Sequence, residues 1–316
     1  MESIWEKNIQ LPTFEPLRRD IRTDVLVIGG GLAGLLCAHE LTRAGLRCIV
    51  AEAGHICGGT TKLTAQHGLV YHKLLKKFGL ERTRAYLEAN LAALDRIREL
   101  CQDIPCDFEE MSNYVYSLNG LKELEQELNA LNKLGHPAAL VKEIPLPLRA
   151  VGAIRFDCQA QFHPLKFAAA IAESLPIFEH TRVLEVKVGQ AVTEHGTINA
   201  NHIVVATHFP FLNKFGAYWL KMYQSRSYVL ALENGPDLSG MYVDASGTGL
   251  SFRNYGNLLL LGGGGHRTGK PGDGWSGLED FASHHYRHTR PVARWAAQDC
   301  MTLDSAPYIG LYSPRL

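Results

Sequence analysis

The apolar run Val25 to Ile28 leads directly into Gly29-Gly30-Gly31-Leu32-Ala33-Gly34. A helical stretch to Ala44 follows, Gly45 interrupts it, and a second strand pattern, Arg47 to Ala51, stops at the acid Glu52. The order predicts strand, glycine turn, helix and second strand. Further along, Leu87, Leu91, Leu94 and Ile97 recur at steps of three and four, giving one apolar stripe flanked by Arg, Glu and Asp. Leu121, Leu124, Leu128 and Leu131 repeat that pattern, with Asn119 placed as N-cap. Residues 155–164 read as a loop, and Pro164 as the opening of a helix that runs to Leu175. Short strands are then predicted at 183–188, 191–193 and 197–205, and a second strand-rich region covers 223–261, clearest at Tyr228 to Leu232 and Leu258 to Leu261.

This order points to an α/β fold, a Rossmann-like domain with a β-meander, interrupted by insertions that form an interleaved mixed α+β domain. The expected boundaries are 1–72, 151–212 and 295–316 for the nucleotide-binding part, and 73–150 and 213–294 for the substrate part.

The first βαβ unit also carries the chemistry. Gly29 allows a tight turn off the strand, and Gly31 lets backbone N–H groups approach a pyrophosphate. Gly34 lets the helix pack closely on the strand, and the helix N-terminus offers partial positive charge to phosphates. Glu52, at the end of the second strand, can accept hydrogen bonds from ribose hydroxyls. A following loop, residues 55–68, is rich in Gly and Thr and can present N–H and hydroxyl donors to a phosphate or ring edge.

Composition narrows the classes. The 316 residues are 46% hydrophobic and 20% charged, ordinary for a globular protein, and 32 basic residues balance 32 acidic ones. That balance argues against a nucleic-acid partner held by bulk basicity. No segment reads as a secretory signal or a bilayer span, so the expected location is the cytoplasm. The seven cysteines are scattered without a C-x-x-C pair and read as free thiols. His284, His285 and His288 read as a solvated helix face, and no metal site is predicted.

Four segments together carry a family resemblance: DVLVIGGGLAGLLCAHEL; GGTTKLTAQHG; RFDCQAQFHPLKF with VVATHFPF; and RWAAQDCMTLDSAPYIG. The chain resembles the FAD-dependent oxidoreductases of the D-amino-acid-oxidase and glycine-oxidase type, over nearly its whole length. It is most similar to the bacterial branch of gamma-glutamylputrescine oxidoreductase-like proteins, some of which carry a Rieske iron–sulfur domain. The resemblance implies a GR2-type FAD-binding domain, with FAD held by Gly29, Gly31, Leu32, Ala33, Gly34, Glu52, Ala53, Thr60, Thr61, Val183, Ala206 and Thr207. It also places Gly262 to Gly265 and His266 in the region that borders the flavin ring. It implies oxidation of the C–N bond of an amine or amino acid, with oxygen, a quinone or an iron–sulfur protein or domain as electron acceptor. Arg253, Tyr255 and His266 are the candidates for substrate contact: Arg253 as a bidentate carboxylate clamp and Tyr255 as an orienting hydroxyl. The competing reading is a surface arginine with a packed tyrosine. His67 and His208 end cofactor-side segments, where each could equally bond local backbone.

Relatives of this type continue past the segment matching Asp304 to Gly310 into a further strand, glycine turn and helix. This chain stops at Leu316, so the expectation is a truncated chain, a split gene or a variant that closes its site differently. Two other readings stay open: a protein that binds FAD poorly or only with a partner chain, and an NAD-dependent dehydrogenase using the same fingerprint.

Overall fold

The computed structural model describes residues 3–7, 9–57, 62–209, 211–212, 217–246 and 249–312. In chain order its elements begin with β1 (Ile21–Ile28), α1 (Leu32–Arg43), β2 (Cys48–Ala51), β3 (Lys62–Leu63), α2 (Tyr71–Asp103), β4 (Glu109–Ser117) and α3 (Leu121–Leu134). Then come β5 (Ala139–Val141), β6 (Gly152–Gln161), α4 (Pro164–Glu173), β7 (Ile177–Phe178), β8 (Val183–Lys187), β9 (Gln190–Thr193) and β10 (Thr197–Val205). The last are α5 (Tyr218–Lys221), β11 (Met222–Glu233), β12 (Met241–Asp244), β13 (Ser251–Tyr255), β14 (Leu258–Arg267), α6 (Ser276–His285) and β15 (Arg290–Thr302). None of the described helices is long and apolar enough to cross a membrane.

The chain divides into two compact units. One comprises residues 8–60, 164–223 and 300–316, and the other residues 1–7, 61–163 and 224–299. These divisions fall away from those expected from sequence, chiefly because β6 belongs with the second unit: it pairs antiparallel with β4 and β3.

In the first unit the sheet order is β7-β2-β1-β10-β9-β8. β1 lies between β2 and β10, parallel to both, with Val25 to Ile28 level with Cys48 to Ala51. Its burial explains its continuous apolar run: Val25, Leu26, Val27 and Ile28 are all core residues. β8, β9 and β10 form an antiparallel meander, and Val183 packs with Leu17, Leu26, Ile28 and Ala191 under it.

In the second unit the order is β15-β11-β14-β13-β12-β4-β6-β3, with β5 on β6. One face is packed by Tyr116, Tyr228, Leu230, Phe252, Leu259, Leu261 and Leu278. The helical stripes pack in part: Leu87 and Leu94 of α2 and Leu124 and Leu131 of α3 are buried, whereas Leu121 at the start of α3 is exposed. α2 is kinked at Gly79, whose φ of 78° is outside helical range.

Three local expectations are corrected. Residues 155–161 are strand, not loop. The polar Gln159 and Gln161 that disguise β6 are buried and hydrogen-bonded, Gln159 to Thr64 and Ala65 and Gln161 to Glu109 and Arg253. The N-cap of α3 is Gly120 rather than Asn119, and Ser117 Oγ accepts the Gly120 N–H at 2.9 Å. α6 ends at His285, so His288 is not on the same helix as His284 and His285.

Candidate functional site

The glycine turn after β1 is shaped by close backbone contacts. Gly29 takes φ +111°, donates its N–H to Ala51 O at 2.9 Å, and a Cβ there would lie 2.5 Å from Ala206 O. At Gly34 a Cβ would lie 1.9 Å from Gly29 O, so α1 crosses the turn at a distance only glycine permits. Gly31 differs: nothing lies within 4 Å of the Cβ it lacks. It is the N-cap of α1, it has no side-chain cap, and the first turn of the helix holds no acid. Helix geometry leaves the N–H groups of Leu32, Ala33 and Gly34 without carbonyl partners in the preceding turn. Open space, uncapped donors and the positive end of a helix dipole together fit a pyrophosphate.

Glu52 is already engaged. Its Oε2 accepts the Gly30 N–H at 2.7 Å and its Oε1 accepts the Gly54 N–H at 2.8 Å. An ionised carboxylate has about four lone-pair sites, so this arrangement orients the acid and leaves capacity for ribose hydroxyls. The sequence places Glu52 at the strand end but gives no sign of this bracing. Ala53 follows it, exposed. Ala206 caps the far side of the turn, donating its N–H to Ile28 O at 2.8 Å, and Thr207 Oγ1 donates to Phe209 O at 3.1 Å. Thr60 and Thr61 lie outside the described residues. His208 is exposed in a left-handed conformation with φ 59°, whereas His67 meets both the local backbone at Thr64 and, at 3.0 Å, the hydroxyl of Tyr86.

A cavity of about 1460 Å³ borders this turn. Ala33, Cys37, the stretch Asn199 to His208 and Tyr308 to Tyr312 line part of it. Of the residues expected from sequence to hold the cofactor it meets Ala33, Ala206 and Thr207, and it does not include Gly29 to Gly31.

Cys57, just beyond the turn, takes φ 63°, and its N–H donates to Gly30 O at 3.1 Å. Burial, with the nearby charges of Glu52 and Glu179 adding to it, pushes its thiol up to about 12. At pH 8 roughly one such thiol in ten thousand is ionised, and the thiolate is the nucleophile. Brief iodoacetamide treatment at pH 8 is therefore expected to alkylate the exposed Cys158 and leave Cys57 unmodified, as peptide mass spectrometry will show.

The second unit holds the other candidates. Arg253 and Tyr255 alternate with Phe252 and Asn254 along β13, so they share one face. Arg253 is buried rather than on the surface. Its Nη1 donates to Gln161 Oε1 at 2.9 Å and its guanidinium lies 5.5 Å from the Trp5 ring centre. Burial lowers its pKa to about 10, so it stays a cation at neutral pH. The Tyr255 hydroxyl donates to Asp107 Oδ2, and its ring meets Trp5 edge-on at 4.6 Å. Burial foremost, and then the bond to Asp107, hold its phenol well above the usual range. His266 is not brought to this pair. It pairs with Arg226 across β11 and stacks on Tyr228 at 5.7 Å. Gly262 to Gly265 lie within β14, not in a loop. There a Cβ on Gly263 would come 2.7 Å from Leu250, and Gly264 has φ +65° beside a bulge opposite Arg226 to Tyr228. Sequence reasoning missed Trp5, Asp107, Gln161 and His163, whose ring is edge-on to Trp5 at 5.3 Å; their separation along the chain left no spacing to read.

Comparison with known proteins agrees with this geometry. Residues 24–316 match the family model described as FAD dependent oxidoreductase. A Bacillus subtilis protein, YhfW, whose name describes a Rieske 2Fe-2S iron–sulfur protein, is 34% identical over 98% of this chain and 66% of its own length. Gamma-glutamylputrescine oxidoreductase of Escherichia coli is 25% identical over 61% of the chain and 50% of its own length. The chain thus spans no more than about two thirds of these curated relatives. Among solved structures, glycine oxidase from Geobacillus kaustophilus superposes with a TM-score of 0.69 at 21% identity, covering 93% of this chain and 87% of that one. L-proline dehydrogenase from P. horikoshii gives 0.73 at 18%, covering 95% and 86%. These likenesses establish the shared fold. With the glycine turn, the braced acid and the family match in agreement, the chain belongs to the FAD dependent oxidoreductase family of the D-amino-acid-oxidase type, and FAD is its cofactor.

Proposed function

We propose that the protein oxidises the C–N bond of an amine or amino acid, the substrate carbon giving up a hydride and the nitrogen a proton to leave an imine that water hydrolyses. FAD, when bound, supplies the hydride acceptor. The names of two relatives in fold and sequence, glycine oxidase and gamma-glutamylputrescine oxidoreductase, support this substrate class. The observation that carries it is the Arg253–Tyr255 pair, a cation and a hydroxyl fixed on one strand face by Gln161, Trp5 and Asp107. A guanidinium can hold a carboxylate, and its charge favours the neutral form of a nearby amine, the form able to lose hydride. His266, standing apart on Tyr228, is proposed as a separate substrate contact. Among oxygen, a quinone and an iron–sulfur group as the next electron acceptor, the name of the Bacillus subtilis relative supports the iron–sulfur group.

The test is anaerobic bleaching of the 450 nm flavin band by a panel of amines, amino acids and hydroxy acids. Bleaching by an amine or amino acid with release of ammonia supports the proposal; bleaching by hydroxy acids alone overturns it. For a carboxylate-bearing substrate, R253K is expected to raise KM about ten- to hundredfold, the worth of one charged hydrogen bond. It should leave KM for an amine lacking a carboxylate within about twofold. An equal rise for both substrates would remove Arg253 from the role.

A further inference from the structure

We propose that His55, Glu179 and His180 form a binding site for a divalent transition-metal cation, zinc being the representative ion. Residues 55 and 179 are far apart in sequence, and strand ends bring them together. The segment leaving β2 runs beside the segment leaving β7: Thr181 N–H donates to Glu52 O at 2.8 Å, and His180 N–H donates to Gly54 O at 3.2 Å. One ligand atom from each of the three side chains lies within 4.8 Å of the others.

Glu179 is the fixed member. It is 1% exposed, its Oε1 accepts the Ile56 N–H at 2.8 Å, and its Oε2 accepts the Phe14 N–H at 3.1 Å. Both bonds stiffen the carboxylate and leave lone pairs on each oxygen. His55 Nδ1 lies 3.3 Å from Oε2, and among the described residues no Lys or Arg is ion-paired with Glu179. A buried carboxylate held by two backbone N–H groups and one imidazole keeps acceptor capacity for a cation.

The histidines converge on it. His180 adopts φ 48°, in the left-handed region that His, Asn and Asp enter more often than other residues with side chains. With that turn, its ring meets the His55 ring edge-on, at 4.6 Å and 86°. Both rings are exposed, so a metal ion can enter from solution and keep a water as fourth ligand. Two imidazole nitrogens with one carboxylate oxygen suit zinc, cobalt, nickel or copper, and not calcium or magnesium, which take oxygen ligands. The bound ion would clip together the two segments that flank Glu52.

The experiment uses tag-free protein, stripped with a chelator and dialysed, titrated with cobalt(II) and then with zinc. The expected result is one equivalent of cobalt with the intense visible bands of a tetrahedral complex, displaced by zinc. H55Q and H180N should each weaken zinc binding at least about tenfold, and the pair together should abolish it. Asn at position 180 tolerates the left-handed backbone, so metal-free melting temperature and circular dichroism are expected to match those of the parent. H288Q serves as a control that leaves binding unchanged. Stoichiometric uptake that survives the double substitution, or no uptake by the parent chain, would overturn the proposal.

Discussion

Gly31→Asp is expected to give a well-folded, colourless protein, whereas Gly34→Ala is expected to give one that folds poorly. The two glycines lie in one short motif, yet their surroundings predict different failures. A Cβ at Gly31 meets nothing within 4 Å, and φ −75° with ψ 173° suits any residue. Aspartate is also a preferred N-cap and favours the positive end of α1. The melting temperature of the flavin-free form should therefore hold or rise. The same carboxylate would stand at the open helix end proposed to receive the pyrophosphate. Two like unit charges about 4 Å apart at an effective dielectric of about 20 repel by about 4 kcal/mol, close to a thousandfold in affinity. At Gly34 the added methyl would be 1.9 Å from Gly29 O. Relief requires moving α1 off β1, and overpacking of this kind costs about 1–3 kcal/mol or more. The ratio of 450 nm to 280 nm absorbance, with thermal unfolding of flavin-free samples, separates the cases. G31D purifying with the parent's flavin content would show that phosphate does not sit at this helix end.

The contrast also explains what the sequence could disclose. The unit from β1 to Glu52 is readable because each requirement is local: a doubly buried parallel strand needs an unbroken apolar run, and the turn needs glycine at set offsets. Glu52 is visible as a strand-end acid, although the two backbone N–H groups that brace it are not. The second sheet is harder to read. β6 carries Gln159 and Gln161 at buried positions, and their polarity is satisfied by partners such as Thr64 and Arg253, far away in the chain. β4 pairs in parallel with β12, Asn113 level with Met241, a connection that no short-range pattern encodes. For the same reason the sequence leaves Arg253 open between a carboxylate clamp and a surface residue: its burial depends on Trp5 and Gln161. His55 and His180 show no ligand spacing, since only the exits of β2 and β7 make them neighbours.

Glu52→Gln is expected to destabilise the protein before any flavin is considered, although the side chain keeps its size. In the native arrangement two carboxylate oxygens each accept a backbone N–H, from Gly30 at 2.7 Å and from Gly54 at 2.8 Å. Glutamine has one acceptor oxygen; its amide nitrogen would oppose a second donor, leaving a half-buried N–H without its bond. Such a loss costs about 1–3 kcal/mol, a sizeable share of the roughly 5–15 kcal/mol that holds a domain folded. Flavin binding suffers twice, because the glycine turn loses its brace and the ribose loses an ionised acceptor, whose hydrogen bonds are each worth about 1.5–3 kcal/mol. FAD affinity should accordingly fall by at least about tenfold. FMN, which has no adenosine, reports only on the turn, so the preference for FAD over FMN should narrow in E52Q. Thermal unfolding without flavin, and then with FAD or FMN in excess, checks each part. If E52Q without flavin melts with the parent, Glu52 does not brace the turn. If the FAD preference is unchanged, the acid does not hold the ribose.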